Sequence, residues 1–63
     1  MTIREVLKIL RRDGWVIVRQ KGSHRQFHHP HKRGTVTVAG KPSTTLHPKI
    51  VSSIMRQAQI EES

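Results

Sequence analysis

The sequence predicts an α+β fold with the element order α-β-β-β-α, in which a three-stranded antiparallel sheet carries two helices on one face. Two segments with apolar residues at helical spacing lie near the ends of the chain, and three short β-branched or alternating segments lie between them. Glycine and proline residues separate these segments where turns are required. A chain of 63 residues makes one domain, residues 1–63, near the lower size limit for folding without disulfides or metals.

The first helix is predicted over residues 3–12. Thr2 and Glu5 have the spacing of a capping box, in which a threonine hydroxyl and a glutamate carboxylate bond to free N–H groups at a helix start. An apolar stripe follows at positions i, i+3, i+4 and i+7: Ile3, Val6, Leu7 and Leu10. Gly14 suits the position just past the helix end, because glycine readily adopts the left-handed conformation found there.

Two strands joined by a tight turn are predicted next. Residues 15–20 are aromatic and β-branched, which is typical of a strand. Residues 21–23 form the turn, in which Gly22 can adopt a positive φ. The returning strand covers residues 24–29, and Pro30 ends it because proline cannot donate a hydrogen bond to a neighbouring strand.

The third strand and the second helix complete the predicted fold. Residues 35–38 alternate polar and apolar side chains, as a half-buried strand does, and residues 40–45 have the composition of a loop. Pro48 suits the first position of a helix over residues 48–59. This helix has its own apolar stripe: Ile50, Val51, Ile54, Met55 and Ala58. The tail, residues 61–63, is expected to fray.

The helical stripes and the strand alternation predict one covered face and one open face of the sheet. In the central strand, alternation directs His24, Gln26 and His28 to the open face. The core is predicted to contain the following residues: Ile3, Leu7, Leu10, Phe27, Val36, Val38, Val51 and Ile54.

Charge is distributed unevenly along the chain. The formal net charge is +8 and the pI is about 11.6, yet residues 14–60 contain no acidic residue. A surface of this kind attracts polyanions, and the strongly basic balance is typical of nucleic-acid-binding domains. The absence of Asp and Glu from residues 14–60 excludes several kinds of site there. These are carboxylate-held Mg²⁺ sites, paired-carboxylate hydrolases and Ser-His-Asp triads.

The composition also bears on the cellular compartment. The chain has no cysteine, which excludes disulfides and thiolate metal sites and favours a cytoplasmic location. No apolar run approaches the ~20 residues of a membrane span. Met1 is followed by a polar amphipathic segment, unlike a signal peptide.

The sharpest local signal is the segment Lys-Gly-Ser-His-Arg from Lys21 to Arg25. It places His24 at the start of a strand, just after a tight turn and between two cations. A histidine can accept and release a proton near neutral pH, and Lys21 or Arg25 can stabilise developing negative charge. RNA carries its own nucleophile, the 2′-hydroxyl, so an acid-free and metal-free site suits RNA better than DNA. His28 is a poor second catalyst, because four residues along a strand span ~13 Å.

Several short motifs extend over nearly the whole chain. A short amphipathic helix ends near Gly14, and the segments Lys21-Gly22-Ser23-His24 and His29-Pro30 follow it. Beyond the Val-Thr-Val strand the matching residues are Leu46, Ser53, Ile54, Arg56, Gln57, Ala58 and Ile60. In these motifs, in the order of the motifs and in the length of the chain, the protein resembles the HicA-type (YcfA-like) toxins of bacterial toxin–antitoxin modules.

This resemblance implies a double-stranded-RNA-binding-domain-like fold and the toxin role in a type II toxin–antitoxin system. It implies an mRNA interferase, an RNA endonuclease, with His24 as the catalytic residue, and a cognate HicB-like antitoxin that covers that histidine. We expect no cofactor and no metal. The candidate RNA-binding residues are Lys21, Gly22, Ser23, Arg25, Lys32 and Arg33, and the candidate partner-binding residues are Trp15, His24 and His28.

Other functions remain open from the residues alone. The chain could be a non-catalytic RNA-binding module of the same fold, or a DNA-binding or ribosome-associated basic protein. The histidines at 28, 29 and 31 could chelate a metal, but such a cluster without cysteine or carboxylate more often binds nickel adventitiously. Trp15 suits the core or a partner contact better than a base-stacking platform, and Ser23 lacks the orienting acid of a covalent nucleophile.

Overall fold

The computed structural model describes residues 1–61, and Glu62 and Ser63, which belong to the tail that is expected to fray, lie outside the described residues. The elements are α1 (Ile3–Asp13), β1 (Val16–Lys21), β2 (His24–His28), β3 (Val36–Ala39) and α2 (Pro48–Gln57). The strands form one antiparallel sheet in the order β1-β2-β3. The predicted α-β-β-β-α fold is confirmed, with element boundaries that differ by one or two residues.

Both ends of α1 are held by contacts that its sequence predicts. The Glu5 N–H donates to the Thr2 hydroxyl over 3.3 Å, and the Thr2 N–H donates to Glu5 Oε1 over 2.9 Å. At the other end Gly14 adopts φ +104°. Its N–H and the Trp15 N–H donate to the carbonyls of Arg11 and Leu10, which closes the helix with a Schellman motif.

The loop between β3 and α2 is bound to the start of α1. The first helical N–H groups, of Ile3 and Arg4, donate to the carbonyls of Thr44 and Pro42 over 2.9 and 3.0 Å. Thr2 and Thr45 also form an isolated antiparallel bridge. Because the first N–H groups of a helix have no partner inside the helix, this loop satisfies donors that would otherwise need water.

The second helix begins as predicted and ends two residues earlier. His47 is its N-cap, with Nδ1 accepting from the Lys49 N–H over 3.1 Å, and Pro48 follows at the first turn. The helix is predicted to reach residue 59 but ends at Gln57, because Gln59 adopts the left-handed conformation with φ 55°. The Ile60 N–H then donates to the Met55 carbonyl.

One hydrophobic core lies between the sheet and the two helices. All eight residues predicted for it are buried, and four more join them: Val6, Trp15, Met55 and Ala58. Trp15 is only 1% exposed, and its indole N–H donates to the Ala58 carbonyl over 3.3 Å. Trp15 therefore connects the end of α1 to the end of α2 from inside the core.

A polar contact on the surface connects the same two helix ends. Lys32 Nζ donates to Asp13 Oδ2 over 2.6 Å and to the Gln59 carbonyl over 2.9 Å. His29 lies beside this contact, with Nε2 2.6 Å from the Asp13 carbonyl and Nδ1 accepting from the backbone N–H groups of His31 and Lys32. Since Nδ1 accepts two hydrogen bonds, Nε2 carries the proton and donates to Asp13.

The contact between His29 and Gly14 predicts a large effect of Gly14→Ala on stability. A Cβ at residue 14 would lie 2.8 Å from His29 Nε2, in a conformation with φ +104°. Gly34 is the matched control, because its φ is +89° and a Cβ added there would have no atom within 4 Å. Gly34→Ala should cost ~1 kcal/mol from the backbone alone, and Gly14→Ala about 2–3 kcal/mol. Urea unfolding of both variants measures the difference. Equal losses in the free energy of unfolding would show that the His29 side chain moves aside at no cost.

Candidate functional site

The side of the sheet away from the helices, the open face, carries the candidate site. Directly opposite residues on paired strands point to the same side of a sheet. Lys21 lies opposite His24, and Arg19 lies opposite Gln26. The open face consists of the outward residues of the three strands: Val16, Arg19, Lys21, His24, Gln26, His28, Thr37 and Ala39.

His24 is exposed at the end of β2 where the β1–β2 turn joins it. It lines a shallow concavity of about 320 Å³ together with Arg19, Lys21 and Gln26. Within residues 1–61 its imidazole makes no hydrogen bond, so both ring nitrogens are free to meet a ligand. The described side chains that line the concavity include two cations and no acid.

A bulge in β1 determines which cations join His24. The register shifts between Ile17 and Arg19, so that Val18 has no partner on β2. If the register of Val16 and Ile17 continued without the bulge, Gln20 would lie opposite His24, and Arg19 would lie opposite Arg25 on the covered face. The bulge therefore brings Lys21, one of the candidate RNA-binding residues, onto the face of His24. It also adds Arg19, which no sequence pattern had indicated.

The turn before His24 is held by Arg25, whose side chain faces the covered side. Arg25 is 8% exposed, and its Nη1 donates to the carbonyls of Ser23 and Gly40 over 3.1 and 3.0 Å. The Gly40 N–H also donates to the Ser23 carbonyl. Arg25 was predicted to bind the ligand beside His24, but the structure uses it to fix the backbone of Ser23, while Gly22 and Ser23 remain exposed beside His24.

The other two predicted cations lie away from His24. Lys32 and Arg33 follow the far end of β2, and the length of that strand, ~13 Å, separates this end from His24. Lys32 Nζ is engaged by Asp13 and the end of α2. The Arg33 side chain is exposed, while its carbonyl accepts from Gln59. The predicted grouping of both residues with His24 is therefore not found.

The three predicted partner-binding residues occupy different environments. His24 and His28 both lie on the open face, and His28 Nε2 is 3.1 Å from the Thr35 hydroxyl. Trp15 is buried, so it takes the core position that the sequence left open and offers no surface to a partner. The exposed apolar side chains near this face are instead Val16, 58% exposed, and Val18, 52% exposed.

The remaining histidines have structural contacts. His29 uses both ring nitrogens in hydrogen bonds to the backbone, so it is not free to ligate a metal together with its neighbours. Across residues 1–61, no group of three or more His, Cys, Asp or Glu residues has an arrangement that could hold a metal ion. None of the helices described has the length and apolar character needed to cross a membrane.

The fold and the site together define a small basic α+β domain that presents a histidine and two cations on an open sheet. The family model described as HicA toxin of bacterial toxin-antitoxin matches residues 3–60. The chain therefore belongs to the HicA toxin family, and its role is that of a toxin whose partner is an antitoxin. Among curated proteins no significant match is found.

The different environments of Lys32 and Lys21 predict different effects on stability. Lys32→Met keeps the alkyl chain but loses the bonds to Asp13 and to the end of α2. Allowing for partial exposure, this should cost ~1 kcal/mol, or about 4–8 °C in Tm for a domain of this size. Lys21→Met makes the same chemical change at an exposed position and should leave Tm nearly unchanged. Thermal unfolding by circular dichroism compares them, and an equal loss in both variants would contradict the assignment.

Proposed function

We propose that the chain is a metal-independent endoribonuclease, an mRNA interferase that acts in the cytoplasm, with His24 as its catalytic residue. The observation that carries this proposal is the position of His24, which is exposed and free of hydrogen bonds in a concavity with Arg19 and Lys21. Membership of a toxin family agrees with an activity that damages the host cell when no antitoxin is bound.

The reaction requires few groups from the protein. The 2′-oxygen of RNA attacks the adjacent phosphorus, the bond from phosphorus to the 5′-oxygen breaks, and a 2′,3′-cyclic phosphate forms. His24 accepts the proton of the 2′-hydroxyl, and the leaving 5′-oxygen takes a proton from water or from the protonated imidazole. Since one histidine serves the site, turnover should be slow compared with a two-histidine ribonuclease.

Lys21 and Arg19 supply the positive charge that this reaction needs. The phosphorus centre gains negative charge as the 2′-oxygen attacks, and fixed cations beside it lower the energy of that state. Lys21 is the closer candidate, because it lies directly opposite His24 in the β1–β2 pair. Arg19 lies further along the strand, opposite Gln26, where it can bind a neighbouring phosphate. Gly22 and Ser23 leave the backbone of the turn open to the RNA strand.

The antitoxin is proposed to inhibit by covering the open face. An acidic protein would complement Arg19 and Lys21, and charge complementarity should make association fast and salt-dependent. Apolar anchors that are buried on binding should slow dissociation. Val16 and Val18 are exposed and suit this role, which the sequence had suggested for Trp15. Such a complex would occlude His24 and His28 without any rearrangement of the toxin.

Substitution of His24 tests the catalytic assignment. His24→Ala should lower RNA cleavage by at least about 100-fold, because it removes the proton carrier, while Tm stays unchanged because the residue is exposed. His28→Ala is the matched control on the same strand and face, and should retain most activity. Cleavage of a defined RNA should also survive EDTA and leave a 2′,3′-cyclic phosphate or its 3′-phosphate product.

Three outcomes would contradict this proposal. Full toxicity of a folded His24→Ala protein would remove the residue from the mechanism. Mg²⁺-dependent cleavage, or 5′-phosphate products, would remove the mechanism itself. RNA binding without cleavage by the wild-type protein would favour the alternative function, a non-catalytic RNA-binding module of the same fold.

Substitution of the exposed valines tests the inhibition model. The candidate antitoxin, the product of a neighbouring gene, is co-expressed and co-purified with the toxin. Its affinity for the toxin is measured with and without Val16→Thr and Val18→Thr. The double variant should bind about tenfold more weakly, because two methyl groups are no longer buried, while RNA cleavage is retained. Ile50→Thr, at an equally exposed residue of α2, is the matched control. A partner that binds yet leaves cleavage undiminished would show that the open face is not covered.

A further inference from the structure

A second cationic surface lies on α1, outside the open face. We call it the α1 ridge, and its members are Arg4, Lys8, Arg11 and Arg12. All four side chains are exposed. At 3.6 residues per turn they fall within an arc of about 100° on one flank of the helix, over about 12 Å of its length. The buried stripe of α1 packs in one core with Phe27, Val36 and Val38 of the sheet, so the ridge lies on a side of α1 turned away from the covered face and from His24.

The α1 ridge forms no ion pair with the acids closest to it in sequence. Glu5 is engaged by Thr2, whose backbone N–H and then hydroxyl donate hydrogen bonds that lower the pKa of that carboxyl. Asp13 is engaged by Lys32 at 2.6 Å. Among residues 1–61 the ridge side chains form no hydrogen bond or ion pair. Both nearby acids are therefore committed to the fold.

Helix stability does not account for the whole ridge. Arg11 and Arg12 suit the last turn of α1, where cations interact favourably with the helix dipole. Arg4 lies in the first turn, where the same dipole disfavours a cation. Lys8 lies four residues from both Arg4 and Arg12, and like charges at this spacing destabilise a helix. For Lys8 these two like charges outnumber the one opposite charge at helical spacing, Glu5, so helix stability does not explain Arg4 and Lys8. Their charged groups have no partner among residues 1–61.

We propose that the α1 ridge binds the phosphate backbone of RNA, as a second contact surface separate from the cleavage site. Charge alone is sufficient for phosphate contacts, whereas protein interfaces also need apolar or aromatic anchors at their centre. The large apolar side chains exposed in the described structure are Met1, Val16, Val18 and Ile50, and none belongs to the ridge. A polyanion therefore fits the ridge better than an acidic protein does.

The position of the α1 ridge gives it a distinct role. A strand bound there would keep RNA near the domain while another part of it enters the concavity at His24. A partner that covers only the open face would leave the ridge exposed, so the complex would still bind RNA although it no longer cleaves it. This inference does not depend on the proposed cleavage, because binding at the ridge requires no catalytic group.

The test uses RNA that cannot be cleaved through its 2′-hydroxyl. Binding of the full chain to a fluorescent 2′-O-methyl RNA of roughly two dozen nucleotides is followed by anisotropy across a range of salt concentrations. The double variant Arg4→Gln and Lys8→Gln should lower the slope of log affinity against log salt by about 1.4, since each lost phosphate contact contributes about 0.7. The matched control, Lys49→Gln and Arg56→Gln, removes one lysine and one arginine from exposed positions of α2 and should change the slope by less than about 0.5.

Several results would overturn the proposal. Equal slope changes in both double variants would mean that only net charge matters, and no change in either would mean that the ridge does not bind. Loss of affinity for polyglutamate with unchanged RNA binding would assign the ridge to an acidic protein instead. Circular dichroism should show both variants folded, and the ridge variant slightly stabilised, because it removes the repulsion along α1.

Discussion

The register of the central strand β2 is the constraint on which the rest of the structure depends. With Phe27 opposite Ile17 and Val36, one side of the strand enters the core and the other side stays open. A shift by one residue would exchange these sides, burying His24 and exposing Phe27. The same register sets Lys21 opposite His24. The core and the candidate site are therefore two consequences of one strand pairing.

The small size of the domain explains why so many polar residues serve the fold. Two helices can cover only one face of a three-stranded sheet, and a core of twelve buried apolar residues is small. The helix ends are therefore also joined by polar contacts, of Lys32 with Asp13 and of Trp15 with the Ala58 carbonyl. Arg25 likewise holds the turn before His24, through hydrogen bonds to the carbonyls of Ser23 and Gly40. Cations that composition alone assigns to a ligand are in part structural.

The same contacts sharpen the electrostatic character of the surface. Glu5 completes the capping box of α1, and Asp13 binds Lys32. Because Thr2 and Lys32 hold these carboxylates, neither forms an ion pair with the exposed cations of the open face or of the α1 ridge. A basic domain with two such faces can attract polyanions from several directions. A partner that neutralises one face would change this property without abolishing it.

The sequence by itself determined the order of elements, the capping box, the apolar core and the exposure of His24, because these follow from local periodicity. Strand alternation also implies that Arg25 points inward, because it lies between the outward residues His24 and Gln26 on the central strand. Only the tertiary structure decided which cations accompany His24. Val18 is β-branched like the two residues before it, so no local signal marks the bulge, which depends on how β1 pairs with β2. The contact of Lys32 with Asp13 likewise joins residues 19 positions apart, which only the packed fold brings together.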